Sequence, residues 1–192
     1  MGSRVKGAAI CAVAMFIVMV SACASHRLDV WRDENMDFGA IKTVAVMPFA
    51  NLSQVQQAGS RVRDTFMGRL IATGGVYVLP PGDVARGIAR AGVAEPTAPS
   101  QEEAMKFCGI VKADAVITGV VKEYGEVRSG QAIGSIIALS MSMLEGQTGK
   151  IVWTASSQEG GISVKDRLLG PSGKPMNEVT EQAVDDIIDK LF

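Results

Sequence analysis

The chain has 192 residues, with 19 Lys and Arg against 20 Asp and Glu, one His and three Cys, a length that fits one domain with an appendage. The charges nearly cancel and no basic cluster exceeds the pair Arg61 and Arg63, so the electrostatic footprint of a nucleic-acid binder is missing and no nucleic acid is expected as a partner. Apolar residues make up 47% of the chain, which suits a packed core and excludes a disordered one.

The first element is a targeting segment. Residues 7–22 (GAAICAVAMFIVMVSA) carry no charge and follow Arg4 and Lys6, the layout of a signal peptide. The run is shorter than the ~20 apolar residues of a spanning helix and ends in small residues at a cysteine. Val20-Ser21-Ala22-Cys23 resembles the lipobox of bacterial lipoproteins. That resemblance implies that the Cys23 thiol takes a diacylglyceryl group, that residues 1–22 are removed, and that Cys23 becomes the lipidated N-terminus. Such lipoproteins carry three acyl chains of the palmitate kind, and at ~0.8 kcal/mol per buried methylene the attachment is effectively permanent. Ala24 and Ser25 follow the cysteine in place of the Asp that retains lipoproteins in the inner membrane, so the outer membrane's periplasmic face is the implied location. An ordinary signal peptide that happens to contain Cys23, or an uncleaved anchor, is the alternative.

Residues 23–40 hold mixed charge without sustained period and read as a lipidated N-terminus and tether; Trp31 and Phe38 read as tucked against the domain where it begins, with docking on a membrane interface or a partner as the alternative. The domain proper spans residues 41–192. Thr43 to Phe49 (TVAVMPF) is apolar on both faces and predicts a central, doubly covered strand. Val55, Val62, Phe66 and Leu70 recur at helical spacing, and Gly74-Gly75 ends that helix before a second strand, Val76 to Leu79. Pro80-Pro81-Gly82 opens a short helix, Asp83 to Ala91. Ser100 and Glu103 stand at capping-box spacing and start another helix, which runs to about Lys112 with Ala104, Cys108 and Val111 inward.

Ala113 to Lys122 predicts a third apolar strand. In Ser135 to Glu145 the period changes: Ile137, Leu139, Met141 and Met143 alternate with polar or small residues, a strand with one buried face. The turn 146–149 leads into a partner strand with Ile151, Trp153 and Ala155 alternating, and the pair reads as a hairpin. Met176, Val179, Ala183, Ile187 and Leu191 mark a closing helix with an acidic outer face. The order β-α-β-α-α-β-β-β-α predicts an α/β fold, one mixed parallel and antiparallel sheet with helices packed on it.

Four segments, Lys42 to Ser53 (KTVAVMPFANLS), Tyr77 to Val84 (YVLPPGDV), Ala113 to Gly119 (ADAVITG) and Thr148 to Trp153 (TGKIVW), occur in the order seen in the CsgG-like superfamily of bacterial periplasmic lipoproteins. The nearer likeness is to its small members, the lipoproteins related to a neisserial surface-antigen lipoprotein and to penicillin-binding-protein activators. The resemblance implies a compact α/β domain with a mixed sheet. The aspartate that commonly precedes the family's Thr-Gly turn is replaced, since Glu145-Gly146-Gln147 stands before Thr148-Gly149. Curli-type channels add membrane-spanning hairpins with strands of about 9–11 residues; here the only candidate is the meander around Gly125 to Trp153, whose apolar face is needed by the core.

A search for chemistry returns little. Asp185, Asp186 and Asp189 lie on the outward face of the last helix and read as solvated charges. A Ser-His-Asp set needs His as base, and His26 lies in the tether. Cys108 has no second Cys for a bridge or thiolate metal site and reads as a helix-face residue. Residues 130–135 lack the Gly-Lys-Ser/Thr ending of a phosphate loop. No catalytic set, metal or cofactor is therefore expected.

Asn51-Leu52-Ser53 matches a glycosylation pattern, but it reads here as the loop after the first strand. Phe49, Asn51 and Leu52 are the candidate partner-binding residues, because ligands collect at strand C-terminal ends in α/β sheets. The expected function is non-enzymatic: an outer-membrane lipoprotein whose periplasmic domain binds a protein partner in envelope assembly or surface-structure export. Two alternatives stand beside it, a ring-forming subunit of a curli-type secretion channel, for which a homo-oligomer is required, and a small-ligand-binding domain or enzyme of unknown chemistry.

Overall fold

The computed structural model describes residues 29–130, 132–162 and 173–191. The signal segment and Cys23 lie outside the described residues. Seven strands form one sheet: β1 (Asp29–Arg32), β2 (Thr43–Val46), β3 (Ala50–Asn51), β4 (Tyr77–Val78), β5 (Ala115–Ser129), β6 (Ala132–Glu145) and β7 (Ile151–Gly160). Four α-helices, α1 (Ala58–Thr73), α2 (Pro81–Ala91), α3 (Gln101–Val111) and α4 (Met176–Ile188), and one 3-10 turn, Phe38–Ala40, complete the described elements. The sheet order is β1-β7-β6-β5-β2-β4, with β3 pairing β5 beyond the end of β2. β2, β3 and β4 are joined to the sheet by parallel pairings, whereas β5, β6, β7 and β1 pair antiparallel. This is the mixed sheet the element order predicts.

Alternation along the strands sorts side chains into two cores. Val44, Val46, Ile117, Leu139, Met141, Met143, Trp153 and Ala155 pack with Val62, Phe66 and Leu70 of α1 and Val179, Ala183 and Ile187 of α4. Ala45, Met47 and Val116 face the other way and pack with Val84 of α2 and Phe107 and Cys108 of α3. β2 is thus covered on both faces, as its unbroken apolar run requires. Trp153 is 0% exposed, and its indole N–H donates to the Lys190 carbonyl at 3.1 Å, which ties the chain's last turn to the sheet.

Local chemistry sets the element ends. Gly74 takes the left-handed φ of 66° that closes α1, a conformation open to glycine at little cost. Ser100 caps α3 with the reciprocal Glu103 contact. The Asp114 carboxylate accepts from the Lys42 and Thr43 backbone N–H groups, both at 2.8 Å, and so clamps the start of β2 beside the start of β5. Arg63 of α1, its pKa lowered by burial, donates to the Val46 carbonyl at 2.6 Å and the Met47 carbonyl at 3.0 Å. That bond satisfies strand-end carbonyls that no further β2 pairing reaches.

Several boundaries differ from expectation. The first strand ends at Val46 instead of Phe49, and Ala50–Asn51, read as part of the loop after it, pairs with β5 as β3. The third runs on to Ser129 through a register shift between Val121 and Glu123. Asp29–Arg32, read as tether, forms an edge strand on β7. Phe38 is half-buried against the core with the Arg32 guanidinium 3.9 Å above its ring, whereas Trp31 is 51% exposed. In α3, Phe107 is the large inward residue and Val111 is only half-buried. Asp185 is not a free charge, because it pairs with Arg69 of α1.

Two outcomes test this account. A Cβ on Gly119 would stand 2.8 Å from the Phe49 ring, so Gly119→Ala should lower stability by about 1–3 kcal/mol in urea unfolding, and Phe49→Leu in the same chain should recover part of that loss. The backbone N–H groups of Ala94 and Ser100 hold the Glu103 carboxyl below its ordinary range. A depressed folded pKa gives stability that is present above the unfolded value and lost as pH falls through the folded one. The urea midpoint of wild type should therefore exceed that of Glu103→Gln most at neutral pH, and the two should converge in acid.

Candidate partner-binding groove

β5 is where the sheet leaves an edge open. Its outer side is occupied by β2 at Ala115–Ile117 and by β3 at Val120–Val121, and the Leu52 N–H adds one last bond to the Val121 carbonyl at 2.9 Å. The chain then turns away. Asn51 drives that turn: its Oδ1 accepts from the Ser53 N–H at 3.0 Å and the Ser53 hydroxyl at 2.7 Å, while its Nδ2 donates to the Val55 carbonyl at 2.8 Å. Such an Asx turn is local and strong. From Glu123 to Ser129, β5 pairs with β6 on one side and has no strand on the other among the described residues.

A groove of about 500 Å³ lies along this edge, lined by the 52–55 loop, residues 122–127 and Ile136. Leu52 is 71% exposed; Val55, Tyr124, Val127 and Ile136 are half-buried. Lys122, Glu123, Glu126 and Arg128 are exposed along β5, the charged decoration by which edge strands resist indiscriminate pairing.

The three residues singled out from the sequence take different places. Phe49 is 7% exposed; its ring packs over Gly119 and lies 6.0 Å from that of Phe66. Asn51 is half-buried and spent on its own loop. Leu52 alone among them offers an apolar surface to solvent. The rest of the groove comes from the outer half of β5 and from β6. No periodic signal marks it, because the register shift after Val121 changes which residues share a face.

A second cavity of about 360 Å³ is bordered by Met36, Met105, Lys112, Asp114 and Glu145. Its carboxylates are occupied, Asp114 by the backbone of Lys42 and Thr43 and Glu145 by the Thr148 hydroxyl. Cys108 borders it too, but burial and then the Asp114 charge push its thiol up to about 12, so it is not a nucleophilic thiolate near neutrality. No group of His, Cys, Asp and Glu that could hold a metal ion occurs among the described residues. Met141 and Met143 are buried in the core and offer no adaptable surface. No helix among the described residues is long and apolar enough to cross a membrane.

Comparison with known proteins places this architecture. The PelC dodecamer from Paraburkholderia phytofirmans superposes with a TM-score of 0.57 at 15% identity, covering 85% of this chain and 96% of that one. The lipoprotein GNA1162 from Neisseria meningitidis gives a TM-score of 0.56 at 17% identity over 78% of this chain and 97% of that one. The hypothetical protein CT253 from Chlamydia trachomatis gives 0.51 at 13% identity, covering 79% and 96%. At these identities the likeness is one of fold. No curated protein matches the chain in sequence. Residues 36–192 match the family described as Putative lipoprotein GNA1162-like, a match that takes in every helix and all strands but β1, and the chain belongs to this lipoprotein family.

Proposed function

We propose that this protein is an outer-membrane lipoprotein, anchored through acyl chains on Cys23, whose periplasmic α/β domain binds a protein partner in envelope assembly or surface-structure export without catalysing a reaction. The observation that carries partner binding is the open β5 edge beside Leu52. An extended segment of a partner can add there as the strand that β3 fails to continue, its backbone completing the ladder and its alternate side chains entering the groove. The lipobox and membership of a lipoprotein family support the anchoring, and the four sequence segments support kinship with the CsgG-like superfamily. Confinement to one membrane surface raises the domain's effective concentration for a partner held there.

A ring-forming subunit is the second reading, favoured by the dodecamer that PelC forms. A curli-type pore built from this chain is disfavoured. Ile137, Leu139, Met141 and Met143, the apolar row that would face lipid, are buried in the core. The part of β5 beyond the register shift, Glu123 to Ser129, is shorter than the ~9–11 residues of a spanning strand and bears charges.

Photocrosslinking in cells with benzoylphenylalanine at position 52 or 127 tests the partner surface. A defined envelope protein should be captured, with yield falling several-fold when Leu52→Glu is combined with the probe at 127. Adducts only between copies, in a ring-sized species, would select the second reading. Cys23→Ser should release the protein from the outer-membrane fraction; retention there would overturn the anchoring.

A further inference from the structure

We propose that the sheet face turned away from α1 and α4 is a glycan platform, binding an uncharged β-linked chain of N-acetylhexosamine units such as the cell wall supplies. The starting observation is a register. Thr118, Ser142, Thr154 and Trp31 stand directly opposite one another on β5, β6, β7 and β1. Opposed residues share a face, and the row steps across the sheet at about 4.8 Å per strand. Val120, Ser140 and Ser156 form the next row, with Asp29 at its rim. The residues alternating with these rows, Ile117, Met141, Met143, Trp153 and Ala155, belong to the core under α1 and α4. The core under α2 and α3 takes no residue from β6 or β7; beyond Leu144, which is buried opposite Val116, the two rows are left uncovered by the described helices.

Three features of the rows select a sugar. The hydroxyls of Thr118, Ser140, Ser142, Thr154 and Ser156 are on half-buried residues and have no hydrogen-bond partner among the described residues; each can both donate and accept. The rows hold no ionisable side chain inside the rim, so a phosphate or a strongly charged polymer finds no counter-charge there. Serine is depleted in the cores of protein interfaces, which sets these rows apart from a second protein-docking surface. Trp31, half exposed at the end of the hydroxyl row, supplies the remaining component: a flat apolar ring with a polar edge. A pyranose has the matching chemistry, a C–H face to lie on the indole and a rim of hydroxyl and acetamido groups to bond with Thr154 and Ser142. The choice of wall glycan as source rests on the periplasmic location proposed above; the preference for an uncharged sugar does not.

The full-length protein in detergent, titrated with tetra-N-acetylchitotetraose, tests this through tryptophan emission. Trp153 is fully buried, so a saturable change reports Trp31. Calorimetry should show affinity weakened about tenfold in Trp31→Ala, the size of one lost aromatic contact, and weakened in Ser156→Ala, with both variants unfolding at wild-type urea concentrations. Purified peptidoglycan sacculi should sediment wild type and leave Trp31→Ala in solution. No saturable signal with the tetraose, or equal sedimentation of wild type and Trp31→Ala, overturns the proposal. Binding of the tetraose without sedimentation by sacculi overturns the wall as source. An emission change that tracks protein concentration without sugar, or that appears only with phosphatidylethanolamine–phosphatidylglycerol vesicles, assigns the face to a second copy or to the bilayer and also overturns it.

Discussion

The domain depends on β5 being shared. Its first residues pair with β2 on one side and β6 on the other, so the parallel half of the sheet and the antiparallel meander meet on a single strand. Val116 and Ile117 point into different cores, and the start of the strand is fixed by Asp114, whose carboxylate holds two N–H groups of the chain entering β2. A one-residue slip at this point would exchange the two faces along the whole strand. Both helical layers, the open β5 edge and the hydroxyl-bearing face take their positions from that register.

The asymmetry of the sheet follows from the same strand. Burying apolar side chains fully is worth about 1.5–3 kcal/mol each, and the α1/α4 layer collects them from β2, β5, β6 and β7 alike. The opposite layer collects them chiefly from β2 and from the start of β5. Past Val116 that face of β5 and β6 turns to Thr118, Ser142 and Ser140, which gain nothing from a helix that would strip water from their hydroxyls. That part of the meander can therefore go without a helix among the described residues at no loss of stability. The open edge has a different cause. Asn51 closes its turn before β3 can extend, and the freed edge is protected by charge instead of by a neighbouring strand.

How far the sequence reveals this depends on whether a residue's partners are local. The capping box at Ser100 and Glu103 and the glycine end of α1 are written in a few adjacent letters and are found where expected. Alternation in β6 and β7 is regular, and both read correctly. β5 is legible only to Lys122, because Lys122 is the extra residue at the register shift: Val121 faces the core before it and Tyr124 after it. A change of phase within a strand looks, in sequence, like its end. β1 is not legible because a four-residue edge strand whose Val30, Trp31 and Arg32 are all exposed has no buried face and so no period to detect. The candidate site was legible at Leu52 and not beyond it, since the groove is completed by the part of β5 hidden behind the phase change.

The pairing of β1 with β7 also constrains how the domain can be used if Cys23 carries lipid. A chain segment spans at most ~3.3–3.6 Å per residue, and β1 is fixed to the sheet from Asp29 onward. The stretch from Cys23 to Asp29 can then separate the sheet edge from the bilayer by no more than about 20 Å. A tether running to residue 40 would have allowed roughly three times that reach. The domain would thus work within about its own width of the membrane. Its β1 edge is held at the membrane side, and the β5 edge lies across β7 and β6 from it. With lipid on Cys23, a partner or glycan that engages the sheet would have to come close to the anchoring membrane, which favours components attached to that membrane or next to it over freely diffusing ones.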